Sequence, residues 1–297
     1  MPPILTGLIA GTLLVINTVF WFTPLMMAAI IKLLLPVTVV RHHLSRFVVW
    51  CAECWIQCNN GWMKLTQPMQ WHIERPDTLN AKGSYMVVSN HQSWVDILVL
   101  QYALGKRIPF LKFFLKKELI WVPFMGLAWW ALDLPFMKRY SKAYLEKHPE
   151  KRGQDLETTR KSCEKFRNMP TSVMNFLEGT RFTQAKHDQQ ESQYANLLKP
   201  KSGGMAFAMS VMGDCFHSLI DVTIHYPGRV PTFIDFIQGK MPRCDVVVQE
   251  RQIPDHLLSG DYQNNDEYRE QFQHWVQQIW QEKDDRLTRM KQSGHME

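Results

Sequence analysis

The sequence predicts an α/β domain, with a mixed, largely parallel sheet flanked by helices, behind an N-terminal membrane helix or helical hairpin. Three observations carry this reading. No Lys, Arg, Asp or Glu precedes Lys32. From residue 84 onward, short β-branched or apolar runs alternate with stretches of helical periodicity. The 297 residues are 45% hydrophobic and 21% charged, which suits one large folded domain with appendages and excludes a disordered chain. The net charge of +6 suits an anionic partner such as a membrane surface or a phosphorylated molecule. The basic residues are not gathered into a stripe interleaved with aromatics, which argues against nucleic acid.

The first element is the run from Ile4 to Phe22, apolar and long enough to cross a bilayer core of about 20 residues. It lacks the basic start and small-residue cleavage site of a secretory signal. Pro24 separates a second apolar piece, Leu25 to Leu35. Lys32, Arg41 and Arg46 are the first charges, so the positive-inside rule puts the following bulk on the cytoplasmic face. Leu44, Val48, Cys51, Trp55, Cys58 and Trp62 then recur at helical steps and form one apolar face. One spanning helix with an interfacial helix, a hairpin embedded in one leaflet, and a buried helical pair all fit. Cys51, Cys54 and Cys58 have no second knuckle to complete a metal site, so no metal is expected. Six Cys are too few for a disulfide scaffold.

This divides the chain into residues 1–65, N-terminal membrane-anchoring helices; 66–260, the main domain; and 261–297, a C-terminal amphipathic helix and tail. Expected strands in the main domain are 84–89, 107–111, 132–137, 171–177, 221–225 and 244–249. Expected helices are 93–104, 113–130, 155–168 and 204–212. Residues 184–193 are polar and read as a surface loop. Pro123, Pro135 and Asp133 argue against a second span in 119–136. Tyr268, Phe272, Trp275 and Ile279 form a helical stripe that suits packing on the domain or contact with a membrane.

The chain has no Walker A loop, no G-x-G-x-x-G and no G-x-S-x-G, which disfavours P-loop, dinucleotide and serine-esterase chemistry. What remains is His with a carboxylate at fixed spacing. H-x-x-x-x-D occurs at His72/Asp77, His91/Asp96 and His256/Asp261. The first and last lie in polar, turn-like surroundings. His91 follows an apolar run and precedes a helical one, so it stands where a strand ends and a helix begins, the end of a parallel sheet where ligands bind. Five residues along a straight helix would turn Asp96 about 140° away from His91. A non-helical turn at Asn90–Gln92 would instead let Asp96 fold back onto the imidazole.

The neighbours of His91 resemble a known family. Asn90-His91-Gln92-Ser93-Trp94-Val95-Asp96 is similar to the first signature block of the glycerophospholipid acyltransferases, which include the 1-acyl-glycerol-3-phosphate (lysophosphatidate) type. Phe136-Met137-Lys138-Arg139 resembles their second block, and Phe176-Leu177-Glu178-Gly179-Thr180-Arg181 their third. Leu198-Lys199-Pro200-Lys201-Ser202-Gly203-Gly204 is similar to their basic-proline-basic segment, and Asp221-Val222-Thr223-Ile224-His225-Tyr226-Pro227 to the fourth block. The blocks run in the family's order over about half the chain. The last one looks closest to the lysocardiolipin-type and related bacterial inner-membrane branch. Leu177 departs from the Pro usual in the third block, a change that bears on the acceptor head group.

The resemblance implies the glycerolipid acyltransferase fold and a membrane-bound enzyme. Its location would be the cell membrane, the inner one in a Gram-negative cell. It would move an acyl group from a thioester donor to the free hydroxyl of a lysophospholipid. No cofactor is implied beyond acyl-CoA or acyl carrier protein as co-substrate. The donor is already activated, so the chemistry calls for a general base and no covalent nucleophile. His91 would take the hydroxyl proton while Asp96 fixes its tautomer. Arg139 and Arg181 are candidates for the acceptor phosphate, since Arg forms bidentate contacts there. Gly179 offers a turn with the Thr180 hydroxyl beside it, and Glu178 organises that loop or reaches the glycerol. Lys201, with Lys199, Lys112, Lys116 and Lys117, suits phosphates, lipid heads or a solvated face. Hydrolysis of the thioester, or lipid binding without turnover, are the competing readings.

Overall fold

The computed structural model describes residues 1–293 other than 114, 135, 138–168 and 263. The expected helix 155–168 lies outside the described residues. The chain opens with α1 (Pro3–Leu34) and α2 (Thr38–Thr66), joined by three residues into a hairpin. An asparagine within an apolar helix needs partners, and here it sets the register. Asn17 donates to Asn59 Oδ1 at 2.8 Å and to the Trp55 carbonyl at 2.9 Å. Val48, Cys51 and Trp62 of the expected α2 face are buried. Cys58, expected on that face, points outward.

The main sheet has the order β1-β8-β7-β2-β6-β3. Its strands are β1 (Gln70–Glu74), β2 (Tyr85–Ser89), β3 (Leu111–Phe113), β6 (Ser172–Phe176), β7 (Ser218–His225) and β8 (Arg243–Arg251). Only β7 and β8 run antiparallel; the other neighbours in this sheet are parallel. A small parallel pair, β4 (Leu115–Lys116) and β5 (Phe136–Met137), stands apart. Every residue of β2 and β7 is buried, as parallel strands covered on both faces require.

One face packs on the hairpin, α3 (Val95–Leu104) and α7 (Phe233–Ile237), with Ala10, Trp62, Val99 and Phe236 in a single cluster. The other face carries α6 (Gly203–Met212) and α9 (Asp266–Ser293). Tyr268, Phe272, Val276, Ile279 and Trp280 of α9 are buried there, so the C-terminal stripe packs on the domain. Each such side chain contributes roughly 1.5–3 kcal/mol of burial. A third cluster joins the hairpin to α4 (Met125–Ala131).

Several expectations shift. The strand expected at 107–111 forms instead at Leu111–Phe113, and of the expected 132–137 only 136–137 pair among the described residues. The helix at 113–130 is broken into β4, a 3-10 turn over Lys117–Trp121 and α4, because Pro123 stops one helix and Phe124 takes φ 60° before the next. The loop at 184–193 begins as α5 (Gln184–Gln189), capped by Thr183. Strand β1, read as a polar turn around His72, alternates exposed and half-buried at the sheet edge. A short α8 (Asp255–Leu258) leads to α9.

Candidate active site

Strands β2, β6 and β7 are parallel and in register at Ser89, Phe176 and Val222, so their carboxyl ends lie side by side. At that end β2 does not pass straight into a helix. Asn90 turns its side chain toward β7 and acts as an extra strand residue. Its amide donates to the Ile224 carbonyl and its oxygen accepts from the Ile224 N–H, both at 2.9 Å. The chain then turns through His91, Gln92 and Ser93 before α3 begins at Val95.

That turn lets Asp96 fold back. Its Oδ2 accepts from His91 Nδ1 at 2.8 Å and from the backbone N–H groups of Gln92 at 2.6 Å and Ser93 at 2.9 Å. Its Oδ1 accepts from the Tyr226 hydroxyl at 2.7 Å. The carboxylate is fully buried, and these donors offset its desolvation. With Nδ1 donating to Asp96, Nε2 is the basic nitrogen of His91. The imidazole stacks on Phe176, ring centroids 4.0 Å apart and 15° from parallel, which fixes its plane. His72, by contrast, faces Asp245 rather than Asp77, at 3.9 Å.

Glu178 ties three segments together. Its Oε1 accepts from the His91 N–H at 2.7 Å and its Oε2 from the Leu198 N–H at 3.2 Å. Burial raises its pKa to about 8, with the nearby Asp96 charge adding and the two N–H donors opposing. Both oxygens face backbone, so Glu178 holds the loop. Gly179 sits at φ 66°, and a Cβ there would come within 3.0 Å of Lys201 Cδ. The Lys201 N–H donates to the Leu177 carbonyl at 2.6 Å, and the Phe182 N–H to the His91 carbonyl at 2.7 Å. The third block therefore clasps the His91 turn, and the basic-proline-basic segment clasps the third block in turn.

Arg181 places its guanidinium 4.8 Å from the ring centre of the exposed Trp94. Thr180 Oγ1 accepts from Lys186 Nζ at 2.8 Å, and the same amine reaches the Arg181 carbonyl at 3.0 Å. Arg139 lies outside the described residues, as do the side chains of Lys116 and Lys117. Lys112 is buried in β3, which rules out a solvated helix face among the alternatives open for it. Among the expected site residues, the structure thus brings together His91, Asp96, Glu178, Gly179, Thr180, Arg181 and the backbone of Lys201.

Sequence reasoning gave no role to Phe176, Tyr226, Asn90 or Lys186. The first three stand inside motif blocks, where their chemistry was open to reading; a stacking ring, a buried phenol and a strand-mimicking amide become roles only once β2, β6 and β7 are aligned. Lys186 lay in a stretch read as loop.

An acyltransferase family model matches residues 70–226. The chain is 29% identical over 217 residues to the 1-acyl-sn-glycerol-3-phosphate acyltransferase delta of Mus musculus, covering 68% of this chain and 52% of that protein. It is 25% identical over 227 residues to the gamma form of the same organism, covering 72% and 55%. The chain spans about half the length of these curated relatives. Its fold is similar to the crystal structure of the 1-acyl-sn-glycerophosphate (LPA) acyltransferase PlsC from Thermotoga maritima. The TM-score is 0.53 at 16% identity, over 96% of this chain and 98% of that one. The matched region takes in the His91 turn, the Glu178 loop and β7 through Tyr226, and covers more than half the sequence: the chain belongs to the acyltransferase family.

Proposed function

We propose that this chain transfers a fatty acyl group from a thioester donor to the free hydroxyl of a lysophospholipid of the 1-acyl-glycerol-3-phosphate type. The observation that carries the reading is the 2.8 Å contact between His91 Nδ1 and a buried, fully hydrogen-bonded Asp96. His91 Nε2 removes the acceptor's proton as its oxygen attacks the thioester carbonyl. The tetrahedral intermediate collapses, the C–S bond breaks, and the imidazolium returns the proton to the departing thiolate. Asp96 stabilises the imidazolium in between. Arg181, and by resemblance Arg139, bind the acceptor phosphate. The donor is acyl-CoA or acyl carrier protein.

The same reading places the chain on a membrane, with the catalytic domain on the cytoplasmic face. Helix α1 has a mean hydropathy of 2.0 over its most apolar window, and Ile4, Leu8, Val19 and Phe20 are among its exposed residues. Its 32 residues span about 48 Å, well beyond a bilayer core of about 30 Å. Both ends rest on the same domain: a Cβ at Gly7 would stand 3.0 Å from Gln238, and Lys32 Nζ donates to the Ala131 carbonyl at 2.9 Å. That supports a hairpin lying in one leaflet over a helix that crosses it.

The test is the full chain in detergent with labelled oleoyl-CoA, then oleoyl acyl carrier protein, and a panel of lysophospholipids, with His91→Ala alongside. Acceptor-dependent diacyl product that vanishes in the variant is expected. Free fatty acid without acceptor dependence would move the reading to a thioester hydrolase, and no turnover with either donor would sink it.

A further inference from the structure

The strand end that carries Tyr226 runs into a protruding segment, residues 228–234, that the chemistry above does not use. Scattered apolar residues on a surface need no explanation. Here, though, Val230, Phe233 and Ile234 are exposed within five residues, Ile234 to 66%, and Trp94 stands exposed at 58% on the loop beside them. The two loops are joined, since the Ser93 hydroxyl donates to the Pro231 carbonyl at 2.6 Å. Behind the patch, Phe236 packs with Trp62 and Ala10 of the hairpin, and Gly239 adjoins Thr6 of α1. The exposed apolar side of α1, with Ile4 and Leu8, is therefore its immediate neighbour.

Charge points to the kind of surface that covers it. Arg229 is exposed on this segment, Lys240 is exposed just after α7, and Arg181 lies over Trp94. The one acid between 228 and 240, Asp235, caps α7 through Thr232 and pairs with Arg229 at 2.7 Å, so the charge that faces outward is that of Lys240 and Arg181. Apolar and aromatic side chains interleaved with outward cations match the head-group region of an anionic bilayer.

We propose that residues 228–234, together with Trp94, form a second membrane contact, seated in the head-group region beside the candidate catalytic turn. This rests on the reading that α1 lies on a membrane. The consequence is positional. The Ser93–Pro231 bond fixes the His91 turn relative to the lipid surface, so an acceptor rising from the leaflet meets Arg181 without leaving the interface.

The experiment uses the full chain on vesicles of phosphatidylethanolamine and phosphatidylglycerol bearing a nitroxide near the head-group end of the acyl chains. A genetically encoded fluorescent amino acid is installed, one protein at a time, at position 234, at 19 on the exposed side of α1, and at the exposed position 82 before β2. Quenching by about half at 234 and 19, as for groups about 5–10 Å below the surface, with none at 82, is the expected result. Quenching at 19 but not 234 overturns this contact and leaves the α1 reading in place. Quenching at neither overturns both, and quenching at 234 without 19 overturns the proposal as stated, because it removes the α1 contact on which this second one rests.

Discussion

The hydroxyl of Tyr226 donates to Asp96 Oδ1 at 2.7 Å, on the oxygen opposite the one that receives His91 Nδ1. Tyr226 directly follows β7 and Asp96 lies in the first turn of α3, so this bond reports whether the sheet and the His91 turn are correctly assembled. Without the phenol, a buried carboxylate loses one donor, at a cost of about 1–3 kcal/mol. Tyr226→Phe is expected to lower the melting temperature and reduce kcat about tenfold, the equivalent of about 1.4 kcal/mol, with KM little changed. Unchanged kcat in a destabilised variant would show the phenol to be structural only.

Asp96→Asn is the sharper change. An amide nitrogen facing Nδ1 would force the wrong tautomer and put the proton on Nε2. A loss in kcat of about 10³–10⁴ is expected, by analogy with the loss of an orienting Asp elsewhere. Steady-state rates for the two variants check the ordering: Asp96→Asn far below Tyr226→Phe. Equal losses would contradict the tautomer argument.

What the sequence made legible follows from how local each feature is. The His91–Asp96 pair was readable because five residues and one turn decide it, and α3, α6, β2 and β6 because their apolar runs are continuous. Glu178 was harder: its partners, the N–H groups of His91 and Leu198, come from segments 87 and 20 residues away. Strand β1 was missed because an edge strand is half solvated and its alternation over Gln70–Glu74 resembles a polar turn. The broken helix before α4 was misread because composition fixes burial there, whereas Pro123 and the close packing of Gly126 on Ile120 fix the path.

Glu178 makes stability depend on pH in a definite direction. Its folded pKa of about 8 lies above its ordinary 4.5, so between these values the folded state holds a proton that the unfolded chain has released. Its contribution is therefore present below pH 4.5 and falls away as pH rises to about 8, by at most about 5 kcal/mol. Glu178→Gln removes that slope but turns an amide NH₂ toward one backbone N–H, costing about 1–3 kcal/mol. The variant is expected to be less stable than the parent at pH 4.5, where the protonated Glu178 contributes in full, and to close the gap, or reverse it, at pH 9. Parallel melting curves at the two pH values would refute the burial argument.

Lys283 anchors α9 to β7. It is fully buried, pairs with Asp221 and bonds the Val222 carbonyl, while Trp280 one turn earlier donates to the Leu198 carbonyl at 2.9 Å. Removing one partner of a buried pair costs about 3–5 kcal/mol. Arg251 and Arg286 still face Asp221 in Lys283→Ala, so the lower end, about 3 kcal/mol, is expected in denaturant titration. A loss within the error of that titration would show that the arginines suffice.

Trp94 and Arg181 form the last pair with a measurable consequence. The guanidinium lies over an exposed ring, where a cation–π contact is worth about 0.5–1 kcal/mol. Its role in the proposed reaction is orientation: the ring holds the planar fork so that its N–H groups face an incoming phosphate. Trp94→Ala should raise KM for the phosphorylated acceptor about two- to fivefold, matching that energy, and leave kcat nearly unchanged. Arg181→Ala removes the charge-assisted bonds themselves, worth about 1.5–3 kcal/mol, and should cost about 10- to 100-fold in kcat/KM. Arg181→Lys keeps the charge but gives up the fork and the stack, so it should fall between the two. The ordering separates a phosphate-binding arginine from a surface charge: if all three variants match the parent across the acceptor panel, Arg181 does not touch the acceptor.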